Sequence, residues 1–411
     1  MGKEAIVQDF ADFVSRARAQ VYRQMDMELV PGRREGCRLW DKDGKCYINC
    51  RTSGGVFNLG HRPPKVIAAV REAMESLDIG DHILMSEYRA ALGKRLAELM
   101  PGDIQYSFFG VSGGEAIDLA LKLARGYTGR PGVISAENGY HGHTGFALSA
   151  GSEQFQAPFR PLMPGFRKVP FGDIEALEGE LDEQVAAVIF ETIPATAGIL
   201  ISPPDYFPRV RQLCDERGAL MIMDEIQAGL GRTGRMWAIE EYGVVPDMMV
   251  LGKGLSGGIY PITATSYGEK LESFFESNPF IHLSSFGGAE LGCVAALATL
   301  EEISQLELLT NVVEMGKLFA EGLDVLRERY PQILVEVRQR GLMMGLKMAD
   351  ERCGPLLTQA LAQNGVLALY AGLDTSVMII MPPLIIGEEE VGLVLEALDR
   401  SYEWMAGQMG V

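Results

Sequence analysis

Three apolar runs decide what this chain can fold into: Val185-Ala-Ala-Val-Ile-Phe190, Leu220-Met-Ile-Met223 and Met248-Met-Val-Leu251. Each is free of polar residues and separated from the next by a stretch with helical spacing. A strand with one wet face alternates in polarity, whereas an unbroken run must be covered on both faces. Covered strands alternating with helices predict an α/β fold, with a mostly parallel central sheet and helices on both faces. In such sheets ligands lie beyond the carboxyl ends of the strands. The residues that follow the runs are Glu191, Asp224 and, two positions past Leu251, Lys253. Two carboxylates and a lysine are therefore expected on one rim.

The flanks read differently. A helix is predicted over residues 7–25, followed by short strands around a hairpin turn at Asp41-Lys-Asp-Gly44. From about Gly292 onward, long amphipathic helices and strands near Val335 and Met378 predict a smaller α+β unit. The expected division is a large domain over residues 61–295 and a small C-terminal domain over 296–411, which residues 1–60 join. The small domain is thus made by the two chain ends. No apolar run approaches the ~18 residues of a membrane span, and the mixed, charged start (Met1 to Phe10) is unlike a secretory leader. With 37 basic and 55 acidic residues, the net charge of −18 argues against nucleic acid and anionic membranes as partners. Six scattered cysteines suit a reduced, cytoplasmic protein. Cys46 and Cys50 have no further ligand at metal-binding spacing, so no metal is expected.

Lys253 sits in Leu251-Gly-Lys-Gly-Leu-Ser-Gly-Gly258. Flanking glycines let backbone approach a ligand closely, and a desolvated lysine can serve as a Schiff-base nucleophile, where a solvated one is only a surface charge. Asp224, on an apolar strand end, either makes a structural ion pair or holds a pyridine nitrogen protonated, which turns the ring into an electron sink. Lysine and aspartate in this relation suggest pyridoxal phosphate. A phosphate seat is available at Ser112-Gly113-Gly114-Glu115, which leads into a helical run from Ala116 to Arg125. A helix start offers free N–H groups and the positive end of its dipole, although Ser112 could equally be a plain N-cap. Asn138-Gly-Tyr140-His-Gly-His143 sets an aromatic between glycines, suited to stacking on a flat ring or to a core position. Gly229-Leu-Gly-Arg-Thr-Gly234 matches the dinucleotide fingerprint. Its acidic pair precedes it, however, and no βαβ unit follows, which excludes that reading.

These segments together resemble the class III aminotransferases, pyridoxal-phosphate enzymes of fold type I. The resemblance spans nearly the whole chain. It begins at Leu39-Trp-Asp-Lys-Asp-Gly-Lys-Cys-Tyr-Ile48 and Asn58-Leu-Gly-His61, and continues through Ser112-Gly-Gly-Glu-Ala116 and Tyr140-His-Gly142. It then takes in Asp224-Glu-Ile-Gln-Ala-Gly-Leu-Gly-Arg-Thr-Gly234, Pro246-Asp-Met-Met-Val-Leu-Gly-Lys-Gly254 and His282-Leu-Ser-Ser-Phe-Gly-Gly288. It ends at Arg340-Gly-Leu-Met-Met-Gly345 and Pro382-Pro-Leu384. The resemblance implies that Lys253 binds the cofactor covalently and shuttles the α-proton, that Asp224 pairs with the ring nitrogen, and that Gln227 bonds the ring hydroxyl. It implies that Ser112, Gly113 and Gly114 cradle the phosphate and that Tyr140 stacks on the ring. Ser285 stands where the family usually carries a threonine that reaches a phosphate across a dimer interface, so a homodimer is expected.

Three positions depart from relatives acting on ornithine, acetylornithine or γ-aminobutyrate. Those enzymes usually carry a carboxylate-gripping arginine where this chain has His143, a second glutamate (five residues after the one matching Glu191) where it has Thr196, and an arginine where it has Ile379. The last two form a gate in the family. Losing both members together is physically consistent, since either charge left alone in a pocket costs roughly 3–5 kcal/mol. His143, Glu191 and Thr196 are the candidate substrate residues, and Arg33, Arg34, Arg51, Arg89 and Arg160 the candidate carboxylate or phosphate binders. The expected activity is transfer of an amino group between an amine or amino acid donor and a keto acceptor. The alternative on the same scaffold is a non-transaminating reaction: racemisation, aminomutation, decarboxylation, or β- or γ-elimination with C–C bond formation. The glycine content has a location that fits: residues 110–151 hold 10 of the 48 glycines and residues 229–292 hold 12, in the Ser-Gly-Gly and Lys253 segments.

Overall fold

The computed structural model describes residues 1–409. Near the N-terminus, β1 (Pro31–Glu35), β2 (Arg38–Asp41) and β3 (Cys46–Asn49) pair antiparallel in succession, the last two joined by the hairpin turn expected at residues 41–44. The central sheet comprises β4 (Ile104–Gly110), β5 (Gly132–Ala136), β6 (Phe166–Val169), β7 (Val185–Glu191), β8 (Leu220–Asp224), β9 (Met248–Leu251) and β10 (Thr263–Gly268). Its spatial order is β4-β10-β9-β8-β7-β5-β6. Every pair is parallel except those made by β10, which runs antiparallel to both neighbours. Toward the C-terminus come β11 (Leu334–Arg340), β12 (Met343–Met348), β13 (Val366–Leu367), β14 (Leu369–Tyr370) and β15 (Val377–Ile380). Four of these form an antiparallel sheet in the order β11-β12-β15-β14, while β13 crosses over to lie parallel to β3. The two chain ends meet there. Cys37, Ile48 and Cys50 share one apolar cluster with residues from Val312 to Met405.

The three unbroken apolar runs are central strands, and their side chains divide between two cores. Val188, Phe190, Met221, Met223, Met249 and Leu251 enter a cluster on one face. Ala187, Ile189, Leu220, Ile222, Met248 and Val250 enter another, which includes Ile117, Leu121 and Ala124 of the helix Gly113–Thr128. The alternation of period two persists, but both phases are dry, which is why no polar residue interrupts the runs.

The N-terminal helix departs from expectation. It is two helices, Lys3–Phe13 and Arg16–Gln24, broken at Val14-Ser15. Ser15 is extended, and its side chain accepts from the Arg18 N–H as an N-cap, so a new helix starts where the apolar pattern alone suggested continuity. The expected helix from Gly113 onward is present with Ser112 as its N-cap, the hydroxyl accepting from Glu115 N–H at 3.3 Å.

Ile222, fully buried in the middle of the sheet, should be sensitive to truncation. Ile222→Ala is expected to lower unfolding stability by about 2–5 kcal/mol in urea titration. A loss below about 1 kcal/mol would mean that this face is not close-packed.

Candidate active site

Parallel register sets the rim. Glu191 at the end of β7 lies opposite Asp224 at the end of β8, and Asp224 lies opposite Val250 of β9. Both carboxylates are buried. Just past β9, Lys253 adopts a positive φ of 43°, a left-handed conformation that costs a non-glycine residue on the order of 1 kcal/mol. Its part-buried ε-amine donates to Gln227 Oε1 at 2.8 Å. Loss of water pushes the Lys253 pKa down, while the charges of Asp224 and Glu191 pull it back up. Glu191 moves the other way: burial raises its pKa, against the attraction of His141 and Lys253.

Asp224 is held from two sides. Its Oδ1 accepts from the Ile226 N–H at 3.1 Å, and its Oδ2 bonds His141 Nδ1 at 2.8 Å. The His141 side chain is fully buried. Burial alone would lower its pKa, but the hydrogen bond to Asp224 and the carboxylate charge carry it above the usual histidine value. Neighbouring Tyr140 donates its backbone N–H to Glu191 Oε2 at 3.0 Å, so one loop grips both carboxylates. The Tyr140 ring lies edge-to-face with His143 and Phe155, with centroids 5.4 and 5.6 Å away.

At the start of the helix Gly113–Thr128, the missing side chains matter. A Cβ on Gly114 would come within 2.8 Å of Thr144 Oγ1, and one on Gly142 would come within 2.9 Å of Gly114 Cα. The Tyr-His-Gly loop and the Ser-Gly-Gly turn can touch only because both are glycine there. A cavity of about 320 Å³ opens between Ser112, Gly113, Lys253, Ser256, Tyr260 and Thr263. A second strained element crosses Lys253: Thr52, Ser53, Gly54 and Gly55 all have positive φ (46°, 53°, 69° and 95°). A Cβ on Gly54 would sit 3.7 Å from Lys253 Nζ. Thr52 anchors this turn by donating its hydroxyl to the Met381 carbonyl at 2.8 Å.

The substrate candidates are spread more widely. His143 is exposed. Thr196 accepts from Leu373 N–H through its carbonyl at 3.0 Å. Ile379 packs with Ile193, Ala195, Ile199 and Met381 into a small apolar cluster. Among the candidate arginines, Arg33 pairs with Glu35 and Arg160 with Glu153. Arg89 is engaged by the carbonyls of Asp81, Leu84 and Gly288, while Arg34 and Arg51 are exposed. Ser285 is exposed and does not line the cavity beside Lys253. The Gly229–Gly234 segment forms turns rather than opening a helix, consistent with rejecting a dinucleotide role.

A flat, phosphorylated aldehyde needs an amine to bind it, an oriented carboxylate for a ring nitrogen and a helix start bare enough to admit a dianion. Lys253, the doubly held Asp224 and the glycine-lined turn fit that group. Comparison with known proteins agrees. The chain matches the Aminotransferase class-III family over residues 20–401. It is 54% identical over 402 residues to an "Uncharacterized aminotransferase" of Archaeoglobus fulgidus, covering 98% of this chain and 95% of that one. It is 40% identical over 381 residues to a putrescine aminotransferase of Pectobacterium atrosepticum, covering 90% and 81%. Its fold superposes on the ornithine aminotransferase of Toxoplasma gondii, solved with partial occupancy of pyridoxal phosphate, with a TM-score of 0.88 at 28% identity and all of both chains covered. The chain belongs to the class III aminotransferases. It is a transaminase of fold type I that uses pyridoxal phosphate.

Two features escaped the sequence argument. His141 was visible only as part of a Tyr-His-Gly motif, and its partner is 83 positions away. The left-handed turn had a signal, Ser53-Gly54-Gly55 before Asn58-Leu-Gly-His61, but nothing local says that it crosses Lys253. The pairing of His141 is open to measurement. Because its folded pKa lies above the unfolded ~6.5, folding takes up a proton; this stabilisation is complete below about pH 6.5 and is lost as pH rises through the folded value. In the cofactor-free enzyme, imidazole NMR is expected to show His141 titrating above about 6.5. In Asp224→Asn, where burial acts almost unopposed, the midpoint should fall below that value. A wild-type midpoint at or below about 6.5, or one that Asp224→Asn leaves unmoved, would show that Asp224 does not hold the imidazolium.

Proposed function

We propose that this enzyme takes its amino group from an amine whose reacting carbon bears no carboxylate, and passes it to a keto acceptor. The observation that carries this reading is the apolar wall at Ile379, with Ile193, Ala195, Ile199 and Met381 beside it, where relatives use one member of a glutamate–arginine gate. An α-carboxylate placed there would lose its water without gaining a bidentate partner, which a hydrocarbon chain does not suffer. The exposed His143 offers a single hydrogen bond rather than a guanidinium fork. The similarity to a putrescine aminotransferase supports the same class of donor.

In this reading Lys253 is the amine that holds the cofactor and the base that moves the proton at the donor's reacting carbon. Its lowered pKa leaves a larger share of it neutral for both tasks. Pyridoxal phosphate supplies a carbonyl that takes up amines covalently and a ring that accepts the electron pair released at carbon. Asp224, hydrogen-bonded by His141, is assigned to the ring nitrogen, and Gln227 to the ring hydroxyl. Ser112, Gly113 and Gly114 are assigned to the phosphate and Tyr140 to the ring face. Glu191 orients the Tyr140 backbone by accepting its N–H.

The same proposal includes a homodimer in which Ser285 reaches the neighbouring subunit's site. Support comes from the surface around it: Phe280, Ile281, Leu283 and Phe286, with Leu84 and Met85 on the adjoining loop, are exposed apolar side chains on one chain. We further assign residues 61–295 to a large domain, and residues 1–60 with 296–411 to a small one, on the strength of the apolar cluster the two ends share. Residues 410 and 411 lie outside the described residues. Six thiols, none joined in a disulfide among those residues, favour the cytoplasm.

Borohydride reduction of the yellow holoenzyme is expected to fix the cofactor to Lys253, and Lys253→Ala to lose the visible band. In a donor panel, terminal aliphatic amines and diamines should exceed α-amino acids reacting at Cα by about tenfold or more in kcat/KM. A clear preference for α-amino acids would overturn the donor assignment while leaving the cofactor assignment standing.

A further inference from the structure

Arg232 is the unexplained charge of this molecule. Its side chain is wholly buried, yet no carboxylate pairs with it among the described residues. Nη2 donates to Asn58 Oδ1 at 2.5 Å, and Nη1 donates to the Pro382 carbonyl and, at 3.4 Å, to that of Leu342. Nε has no partner. Burial pushes its pKa down to about 9. A cation taken out of water without a counter-ion is costly and persists where its position does something an apolar side chain could not.

The acceptors show what that is. They come from three distant stretches, at Asn58, Leu342 and Pro382, so the guanidinium ties the N-terminal segment and the C-terminal segment to the loop after β8. Asn58 is then held at both ends of its amide. Its Oδ1 receives Arg232, its Nδ2 donates to the Leu230 carbonyl at 3.0 Å, and its own backbone carbonyl accepts from Leu384 N–H at 2.8 Å. The fixed amide lies directly against Gly254, where a Cβ would come within 2.7 Å of Asn58 Nδ2. Gly254 follows Lys253, whose left-handed backbone needs support from outside. The Lys253 carbonyl is also engaged, accepting the Ser256 hydroxyl at 2.7 Å.

We propose that Arg232 is a positioning residue for Lys253. By clamping Asn58 it fixes the surface on which Gly254 rests, and so holds Lys253 in the backbone conformation that aims its ε-amine at Gln227 and the Asp224–Glu191 rim. Arginine suits this place because one planar fork reaches several acceptors at fixed angles, whereas lysine offers a point charge on a flexible stem. The proposal rests on the assignment of Lys253 as the cofactor-binding amine.

The test compares holoenzymes of the wild type, Arg232→Lys, Asn58→Ala and the double variant. Four quantities are read: the pH midpoint of the visible band, kcat and KM for an amine donor, and the melting temperature. The groups facing Lys253 (Asp224, Glu191 and Gln227) are intact in every variant, so a moved midpoint reports placement of the lysine. Each single variant is expected to shift the midpoint by about half a pH unit or more. Each should also lower kcat about tenfold or more with KM within about twofold of wild type. The double variant should be no worse than Arg232→Lys alone, because both act through one contact. A lowered melting temperature with a wild-type band and kcat overturns the proposal and makes Arg232 a structural clip, as does additivity in the double variant. Should Arg232→Lys fail to fold, Asn58→Ala decides alone, and an unmoved band there overturns the proposal. Failure of the underlying assignment looks different: borohydride then labels a residue other than Lys253 in the wild type.

Discussion

The structure is organised around a charge problem at the carboxyl edge of a parallel sheet. Glu191 and Asp224 are buried side by side, a pairing that repels unless cations are brought to it. His141, whose pKa is raised beside Asp224, and the amine of Lys253 are the basic groups brought to it. Neither is near the carboxylates in sequence, so the arrangement exists only while β7, β8 and β9 keep their register and the Tyr140 loop folds over them. The energetic balance also sets the chemistry. His141 hydrogen-bonds Asp224, while Lys253, bonded to the neutral Gln227, has its pKa lowered by burial against the pull of both carboxylates.

Close approach is the second constraint, and glycine answers it. The loop bearing Tyr140 and the turn after Ser112 meet backbone to backbone at Gly142 and Gly114. The left-handed turn at 52–55 brings bare backbone beside the ε-amine of Lys253. Thr52, Ser53 and Lys253 hold positive φ here, and hydrogen bonds from outside the site brace them: Thr52 to Met381, and Arg232 to Asn58, Leu342 and Pro382. The C-terminal segment is therefore part of the support of the active site and not an appendage. Both anchors reach the same short stretch at Met381 and Pro382, two residues past the apolar Ile379.

Much of this was legible in the chain. The unbroken apolar runs require a doubly covered sheet, and their ends place Glu191, Asp224 and Lys253 on one rim. Ser112-Gly-Gly before a helical run located the bare helix start. Where the sequence reading failed, the cause was a local competitor or a distant partner. Ser15 broke the first helix because its hydroxyl caps a new one, a choice that apolar periodicity does not register. His141 and Arg232 looked like ordinary members of motifs, since what distinguishes them is burial and a bond to a residue far along the chain.

By itself, then, the sequence determined the class of fold, the strand ends that carry the charged groups and the family to which the chain belongs. These depend on hydrophobic period, turn chemistry and residue order, which are local properties. Tertiary structure alone decided the protonation balance at the rim, the apolar wall around Ile379, and the path of support from Arg232 through Asn58 to Lys253. Those depend on which groups lose their water together and which distant atoms come within hydrogen-bond reach. Desolvation and long-range contact are properties of the folded molecule, and no window of sequence contains them.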